Sequence, residues 1–447
     1  MTDNILFLDT EVGVYSEKIH NIGVLLGERR LQGSSIAAVK DGIKELKYDF
    51  VCGHHFIKHD KKYLELTSLN QIINNAKIID TLYLSMLLYP NRSTHKLGKP
   101  YKTQINIEND PVGDCEQTKE LLLLLKTKFE SMSDGLQSAL YTLLGKHEYF
   151  YAFFEAFGFY PKNSVDIFEY FGDNIKCPKE QFLEIQRQNP VELAFVLSWL
   201  SSGDKASISK ITLLNFPKIR TVVESLTFSI ETTDLGDFSK NEFGIDGFRS
   251  FSARDSSLFK SNEISQKDIV LSALNKKSLL AILPTGGGKT FTFQLPALIK
   301  AKAYKGLTIV ISPLQALMKN HVDSFNAKNQ NFKVAAISGY LSPIERMNTL
   351  EEVRRGIVDI LYLAPEALRS NSIFGALSSR MIERFVIDEA HCFSTWGHDF
   401  RHDYKYIAAF IKELQNSPFQ NAIPVSCFTA TAKPDVLEDI KSYFEDK

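Results

Sequence analysis

Two groups of residues in this chain have the types and spacing needed for chemistry on phosphates. The first is Pro284-Thr285-Gly286-Gly287-Gly288-Lys289-Thr290, which follows the apolar run Leu279 to Leu283 and precedes a helical stretch. Glycines in such a loop let backbone N–H groups approach phosphate oxygens with no Cβ in the way, and the helix N-terminus adds a favourable dipole. Lys289 is expected to place its charge on the β- and γ-phosphates of a nucleotide, and Thr290 to offer a hydroxyl to Mg²⁺. Leu283 stands where the common G-x-x-x-x-G-K-[ST] pattern has its first glycine. About a hundred residues on, Arg384-Phe385-Val386-Ile387 runs into Asp388-Glu389-Ala390-His391. Ligands bind at the carboxyl ends of strands in parallel sheets, where such an acidic pair would lie. Asp388 is expected to hold Mg²⁺ through water, and Glu389 to orient and deprotonate an attacking water.

The second group is acidic. Asp9 and Glu11 end the apolar run Ile5-Leu6-Phe7-Leu8, and residues two apart in a strand face the same side. Two such carboxylates repel unless a cation sits between them. Asp60 closes the segment Val51-Cys52-Gly53-His54-His55-Phe56-Ile57-Lys58-His59-Asp60, and Asp114 opens a helix after Asn109-Asp110-Pro111-Val112-Gly113. Four separated acids suit a two-metal site, which stabilises the attacking and leaving oxygens of phosphodiester cleavage. Mg²⁺ or Mn²⁺ is the expected ion. His20, His95 and His147 are expected to be non-catalytic, His95 as a structural residue in a helix-like context.

These groups need a frame, and the periodicity supplies an α/β one. In residues 1–128 a buried strand at Ile5 to Leu8 is paired with Lys18 to Leu26, helical stretches follow, and a last helix runs from Asp114 to Lys128. Residues 129–238 read as a mainly helical connecting domain, rich in aromatics such as Tyr149 to Phe154 and Ile167 to Phe171. Those rings are expected to form helix core rather than a base-stacking surface. Residues 239–447 repeat a unit of short apolar strand, polar loop and helix. The strands are Leu279–Leu283, Leu307–Ile311, Val334–Ile337, Asp359–Leu363, Phe385–Ile387 and Val425–Phe428. Strands alternating with helices indicate a parallel sheet covered on both faces.

Composition sets the outer bounds. At about 100–200 residues per domain, 447 residues allow two to four domains. Hydrophobic residues make up 44% and charged residues 23%, ordinary for a globular core, and the net charge of −1 gives no bulk electrostatic pull toward nucleic acid. Binding to DNA must then come from local grooves and stacking residues. Five scattered cysteines without C-x-x-C spacing point to reduced thiols, no zinc site and a cytoplasmic location. The N-terminus lacks a basic secretion signal, and no apolar run reaches the length of a membrane helix.

Residues 240–447 resemble superfamily 2 helicases. Leu283 to Thr290, Ser312-Pro313-Leu314, Leu363-Ala364-Pro365-Glu366, Asp388 to His391 and Thr429-Ala430-Thr431-Ala432 occur in the order of that superfamily's motifs. The stretch from Asp388 to Arg401 is similar to motif II and the aromatic-rich loop of the RecQ family. The resemblance implies a first RecA-like lobe in which Trp396, Phe400 and Arg401 sense single-stranded DNA, with Ser312 also on the DNA path. An indole, a phenyl ring and a guanidinium close together can stack on bases and grip phosphate. Phe243-Gly244 and Phe248-Arg249, with Gln266 downstream, resemble the family's adenine-reading segment, across a longer gap between Arg249 and Gln266 than the family pattern. Residues 1–128 resemble the DEDD 3′–5′ exonucleases, of RNase H-like fold, through Asp9, Glu11, Asp60 and Asp114, with Ile78-Ile79-Asp80-Thr81 between. That family's general base is a His five residues before the last Asp or a Tyr four before it; here those positions hold Asn109 and Asp110.

The expected function is an ATP-dependent DNA helicase or translocase joined to a metal-dependent 3′–5′ exonuclease, processing DNA ends in repair or defence. The resemblance stops at the first lobe, so the chain is expected to be a fragment or to need a second lobe or another polypeptide, and to be weakly active alone. The alternative is an ATP-gated DNA-binding module whose exonuclease-like part is an inactive scaffold. An RNA-directed enzyme is a third reading.

Overall fold

The computed structural model describes residues 2–13, 18–92, 94–97, 110–161, 164–203, 206–252, 263–392, 398–418, 420, 422–430, 438 and 440. The chain divides into two compact units, Met1–Asp173 with Lys179–Gly203, and Asn174–Pro178 with Asp204–Lys447.

The first unit is built on β1 (Ile5–Val12), β2 (Ile19–Leu26), β3 (Arg29–Gly33), β4 (Phe50–Gly53) and β5 (Lys77–Asp80), in the sheet order β3-β2-β1-β4-β5. β1 runs antiparallel to β2 and parallel to β4, so the first strand is central and both faces need cover. Its helices are α1 (Ile36–Lys44), α2 (Asp60–Leu64), α3 (Asn70–Asn74), α4 (Thr81–Leu88), α5 (Pro111–Glu130), α6 (Asp134–Leu144), α7 (Tyr151–Phe157), α8 (Ile167–Phe171), α9 (Lys179–Gln188) and α10 (Pro190–Leu200). Leu6 and Leu8 of β1 pack with Ile22, Val24, Val39, Ile43, Val51 and Phe56. Helix α5 starts where the sequence supplies a start: the Asp110 side chain accepts from the Val112 amide, and Pro111 fills a position whose N–H would lack a partner anyway. The aromatic stretch after it is core, as its composition suggested. Phe129, Phe150, Phe153 and Phe154 are all buried, and Phe129 meets Phe153 and Phe154 edge-on at 5.8 and 5.6 Å between ring centres.

The second unit contains α11 (Lys210–Asn215), α12 (Ile219–Thr227), α13 (Leu235–Phe243), the two-stranded ribbon β6 (Ser250–Ser252) and β7 (Glu263–Ser265), and α14 (Gln266–Leu274). After these come β8 (Leu279–Ile282), α15 (Lys289–Tyr304), β9 (Leu307–Ile311), α16 (Gln315–Asn326), β10 (Val334–Ile337), α17 (Pro343–Arg355), β11 (Ile360–Leu363), α18 (Asn371–Leu377), β12 (Ile382–Ile387), α19 (His398–Gln415) and β13 (Val425–Thr429). The large sheet has the order β10-β11-β9-β12-β13-β8, and every neighbouring pair in it is parallel. β9, β11 and β12 lie inside the sheet and are buried along their whole length, which is why they read as unbroken apolar runs.

The helices of residues 129–238 are divided between the units rather than forming one body: α6 to α10 belong to the first and α11 and α12 to the second. Buried polar contacts account for the second assignment. Arg220 of α12, only 2% exposed, donates to the Gln420 side chain at 2.6 Å and to the Ile382 carbonyl at 3.0 Å. Glu224, one turn on, pairs with Lys300 of α15 at 3.1 Å and also with Lys276. No helix among the described residues is long and apolar enough to cross a membrane.

Candidate functional site

In the second unit β8 delivers the chain to the glycine-rich loop. Gly286 and Gly288 have φ of +74° and +76°, a left-handed conformation that costs a side-chain-bearing residue energy. A Cβ on Gly287 would lie 2.8 Å from the Pro284 carbonyl oxygen, and one on Gly288 would collide with the Gln266 amide nitrogen. The loop therefore turns tightly enough to present Lys289 and Thr290 at the first turn of α15. The acidic pair follows β12. The Asp388 amide donates to the Ile311 carbonyl at 2.9 Å, tying the end of the strand to β9. Lys289 Nζ lies 3.0 Å from Glu389 Oε1, so two motifs a hundred residues apart meet as an ion pair. Glu389 has φ of +47°, rare outside glycine and a mark of strain held by the surrounding structure. Burial, the Glu389 charge and, in opposition, Lys289 leave the Asp388 carboxyl with its pKa raised to about 6.

Residues that sequence reasoning did not place complete the arrangement. His391 Nδ1 is 3.2 Å from Glu389 Oε2 and 3.3 Å from Thr429 Oγ1, so Lys289, Glu389, His391 and Thr429 form a continuous polar chain. The Leu283 amide donates to the Thr429 carbonyl at 3.1 Å, joining the loop to the end of β13. The long gap before Gln266 is absorbed by β6 and β7, which pair antiparallel and return the chain to its starting point. Gln266 then lies against Arg249. Its backbone N–H donates to the Arg249 carbonyl at 2.9 Å, and its side-chain oxygen accepts from the Arg249 amide at 3.0 Å. Its side-chain nitrogen donates to the Gly287 carbonyl at 2.9 Å, and the Arg249 guanidinium donates to the Gly286 carbonyl at 3.1 Å. Arg249 and Gln266 are thus tethered to the glycine-rich loop. Phe243, Gly244, Thr290, Gln294 and His321 line a cavity of about 430 Å³ beside it.

Ser312 departs from expectation. It is 2% exposed and its hydroxyl has no partner among the described residues, so its side chain faces the interior and not a DNA strand. The exposed side chains of that segment are Leu314 and, across a shallow depression, Tyr340. Trp396 lies outside the described residues; Phe400 and Arg401 fall on α19, their side chains likewise outside them.

In the first unit Asp9, Glu11 and Asp114 converge, with one carboxylate oxygen from each within 4.8 Å of the others. A single glycine makes this possible. Gly23 of β2 pairs with Asp9, and a Cβ on it would come closer than 3.0 Å to the backbone of Pro111 and Val112. The bare Gly23 lets the start of α5 lie directly on the strand, which brings Asp114 over Asp9; Cys115 Sγ donates to the Gly23 carbonyl at 3.4 Å. An isolated glycine within a strand pattern is the signal that could have announced this approach.

Asp60 does not join the three. It is 3% exposed, and its Oδ1 accepts from the Thr10 amide at 3.0 Å and the Thr10 hydroxyl at 2.5 Å. Its charge still reaches the cluster. Burial first, then the charges of Asp60, Asp114 and Glu11, push the Asp9 carboxyl to a pKa of about 8. A carboxyl that holds a proton at neutral pH among other acids is the donor set a hard divalent cation relieves, so these residues fit such an ion. Asp110, at the position where a Tyr base was sought, is spent as the cap of α5, and Asn109 lies outside the described residues. His95 sits in a loop rather than a helix, buried with Nδ1 2.8 Å from Ser85 Oγ, and burial lowers its pKa to about 4.

Residues 263–440 match the DEAD/DEAH box helicase family. The probable ATP-dependent DNA helicase RecS of Bacillus subtilis (strain 168) is 40% identical over 187 residues, covering 42% of this chain and 35% of that protein. The ATP-dependent DNA helicase RecQ of the same organism is 38% identical over 165 residues, covering 37% of this chain and 26% of that protein. The ATP-dependent helicase SGS1 of Saccharomyces cerevisiae is 37% identical over 180 residues, covering 39% of this chain and 12% of that protein. The chain thus spans about a third or less of the length of these relatives. The phosphate loop, the acidic pair and the parallel sheet all lie within the stretch that matches the DEAD/DEAH box helicase family, and that stretch is similar in sequence to the ATP-dependent DNA helicases RecS and RecQ.

Proposed function

We propose that the second unit is the ATP-binding lobe of a RecQ-type ATP-dependent DNA helicase or translocase. The observation that carries this reading is the meeting of Lys289 and Glu389 at 3.0 Å, at the carboxyl end of a parallel sheet. Without nucleotide the Lys289 ammonium is neutralised by Glu389. The phosphates of ATP compete for that ammonium, and their arrival frees Glu389, still held by His391, to take a proton from water. Mg²⁺ bound near Asp388 and Thr290 would supply charge neutralisation for the phosphates. Gln266, 3% exposed and bonded through its amide to Arg249 and Gly287, would act by holding the loop rather than by touching adenine, and the cavity bounded by Phe243, Gly244 and Thr290 is of a size that admits a nucleoside. The partner is DNA, preferentially single-stranded, gripped by Trp396, Phe400 and Arg401. A second lobe, in this protein or another, would complete the motor.

The first unit, within residues 1–128, we read as a metal-dependent 3′–5′ exonuclease-type domain acting on the same DNA. Support comes from the convergence of Asp9, Glu11 and Asp114 beside a central strand. Divalent cations held there would activate water and stabilise the leaving oxygen. The chain's own contribution is to hold three carboxylates on one spot and to keep Asp60 beside them through Thr10.

Two assays test these readings separately. DNA-stimulated ATP hydrolysis should be present in the native chain, if weakly, and lost in Lys289→Ala; equal rates in the two would remove the motor reading. End-labelled single-stranded DNA with Mg²⁺ or Mn²⁺ should shorten from its 3′ end with the native chain and stay intact with Asp9→Ala. DNA left intact by both would reduce the first unit to a scaffold.

A further inference from the structure

Beside the acids of the first unit stands a row of rings that neither reading above uses. His55, His59 and Tyr63 are four residues apart, in a turn that leads into α2, where the His59 amide donates to the His55 carbonyl at 3.0 Å. That helical spacing puts their side chains on one face. The His55 and His59 rings stack at 6.1 Å between centres with an interplanar angle of 26°, and His59 meets Tyr63 at 5.5 Å and 65°. Both histidines are exposed and Tyr63 is half-buried. Leu66, three residues beyond, is 83% exposed, and Lys62 leans over the Tyr63 ring at 5.2 Å. Water-facing rings in a continuous row are an unusual use of aromatic surface, since rings are ordinarily buried.

The row is held in place by the interior. His55 has φ of +65°, a conformation that strains a non-glycine residue. Buried Asp80 maintains it, accepting from the His55 amide at 3.0 Å and the Ile57 amide at 2.9 Å. A strained backbone fixed by a buried carboxylate is characteristic of a positioned functional surface. The middle ring is also next to the acids: His59 Nδ1 lies 3.7 Å from Asp60 Oδ2, and Asp60 is hydrogen-bonded to Thr10, between Asp9 and Glu11.

We propose that His55, His59 and Tyr63 form a stacking platform for the unpaired terminal nucleotides of a single-stranded nucleic acid, holding its 3′ end against the acidic cluster. The proposal rests on reading that cluster as a site for phosphodiester chemistry. Ring faces stack on any base, so the platform is sequence-tolerant, and Lys62 beside Tyr63 supplies the positive charge a backbone requires. Tyr63, His59 and His55 are positioning residues: they touch the strand, not the reacting phosphorus.

The test is photocrosslinking with the full chain carrying Asp9→Asn, in EDTA, so that the strand is not cut and binding is read apart from catalysis. The probes are oligothymidylate with 5-iodo-deoxyuridine as its 3′-terminal or 5′-terminal residue, and oligouridylate with 3′-terminal 5-iodouridine. Crosslinks from a 3′-terminal probe to the peptide spanning residues 55–63 are expected, with little from the 5′-terminal probe. The DNA and RNA probes show which nucleic acid the platform accepts, and capture of either supports it. Tyr63→Ala should lower the yield roughly tenfold, about the worth of one base–ring stack, and Tyr63→Phe should restore it. Crosslinks that map only elsewhere, equal capture of the 5′-terminal probe, or Tyr63→Phe matching Tyr63→Ala would each overturn the proposal. A native chain that cuts no strand in Mg²⁺ or Mn²⁺ while the Asp9→Asn chain still gives the 3′-terminal crosslink would instead count against the reading of the acids alone.

Discussion

Replacing Asp9 by Asn should stabilise the first unit when divalent cations are absent. Asp9 is half-buried among Asp60, Asp114 and Glu11, and its carboxyl pKa stands near 8 in the folded protein against 3.8 for the free group. Folding must therefore pay for a carboxylate that prefers to be protonated. By linkage the full cost at pH 7 is roughly 4 kcal/mol, and allowing for solvent and local relaxation about 2 kcal/mol is a working value. The sign follows from the raised pKa. The native chain keeps this stability below pH 3.8, loses it as pH rises toward 8, and Asn, which does not titrate, loses none. The difference in melting temperature between Asp9→Asn and the native chain in EDTA should grow from near zero at pH 4 to about 4–8 °C at pH 8. Mn²⁺ should reverse the order, because the cation stabilises the native carboxylates and finds one fewer in the variant. Scanning calorimetry across pH, following the transition that Mn²⁺ moves, measures this. A difference independent of pH, or an Asn variant less stable than native in EDTA at pH 8, would refute the electrostatic account of the cluster.

Three other outcomes are expected. Gly23→Ala would force a methyl into the backbone of Pro111, costing about 1–3 kcal/mol and displacing Asp114, so it should abolish Mn²⁺-dependent stabilisation while the second unit melts unchanged. Gln266→Ala removes the buried amide that ties Arg249 to Gly287; fluorescent-nucleotide titration should find ATP affinity lower by roughly 1–3 kcal/mol as the glycine-rich loop loses that tether. Arg220→Met removes the guanidinium bonds to the Gln420 oxygen, which keeps only the Ile382 amide, and to the Ile382 carbonyl; thermal melting of the second unit should show a loss of about 1–3 kcal/mol, with α12 more open to hydrogen exchange.

The candidate motifs were legible in the sequence because each is local. A glycine-rich loop needs its glycines next to its lysine, and an acidic pair at a strand end is contiguous, so Lys289, Thr290, Asp388 and Glu389 could be read without a fold. The parallel strands of the second unit were legible for a related reason. A strand buried on both faces must be apolar throughout, and Leu307–Ile311 and Val334–Ile337 begin and end where their composition changes. The same logic identified Phe150, Phe153 and Phe154 as core, since rings at helical spacing have nowhere better to go than the interior.

What the tertiary structure alone decided are the contacts between residues far apart in the chain. Four acids were equivalent in the sequence; Gly23 admits α5, so Asp9, Glu11 and Asp114 meet, while Thr10 holds Asp60 beside them. Gln266 looked misplaced by its distance from Arg249, and a ribbon of paired strands cancels that distance. The helical stretch after residue 129 looked uniform, yet Arg220 and Glu224 bind α12 to the second unit while α6 to α10 stay with the first. Ser312 has the sequence position of a DNA contact and the burial of a core residue. Local pattern states what a residue can do. Which partners it meets depends on packing, where one methyl group, one buried guanidinium or one paired ribbon selects among arrangements that the sequence pattern leaves equal.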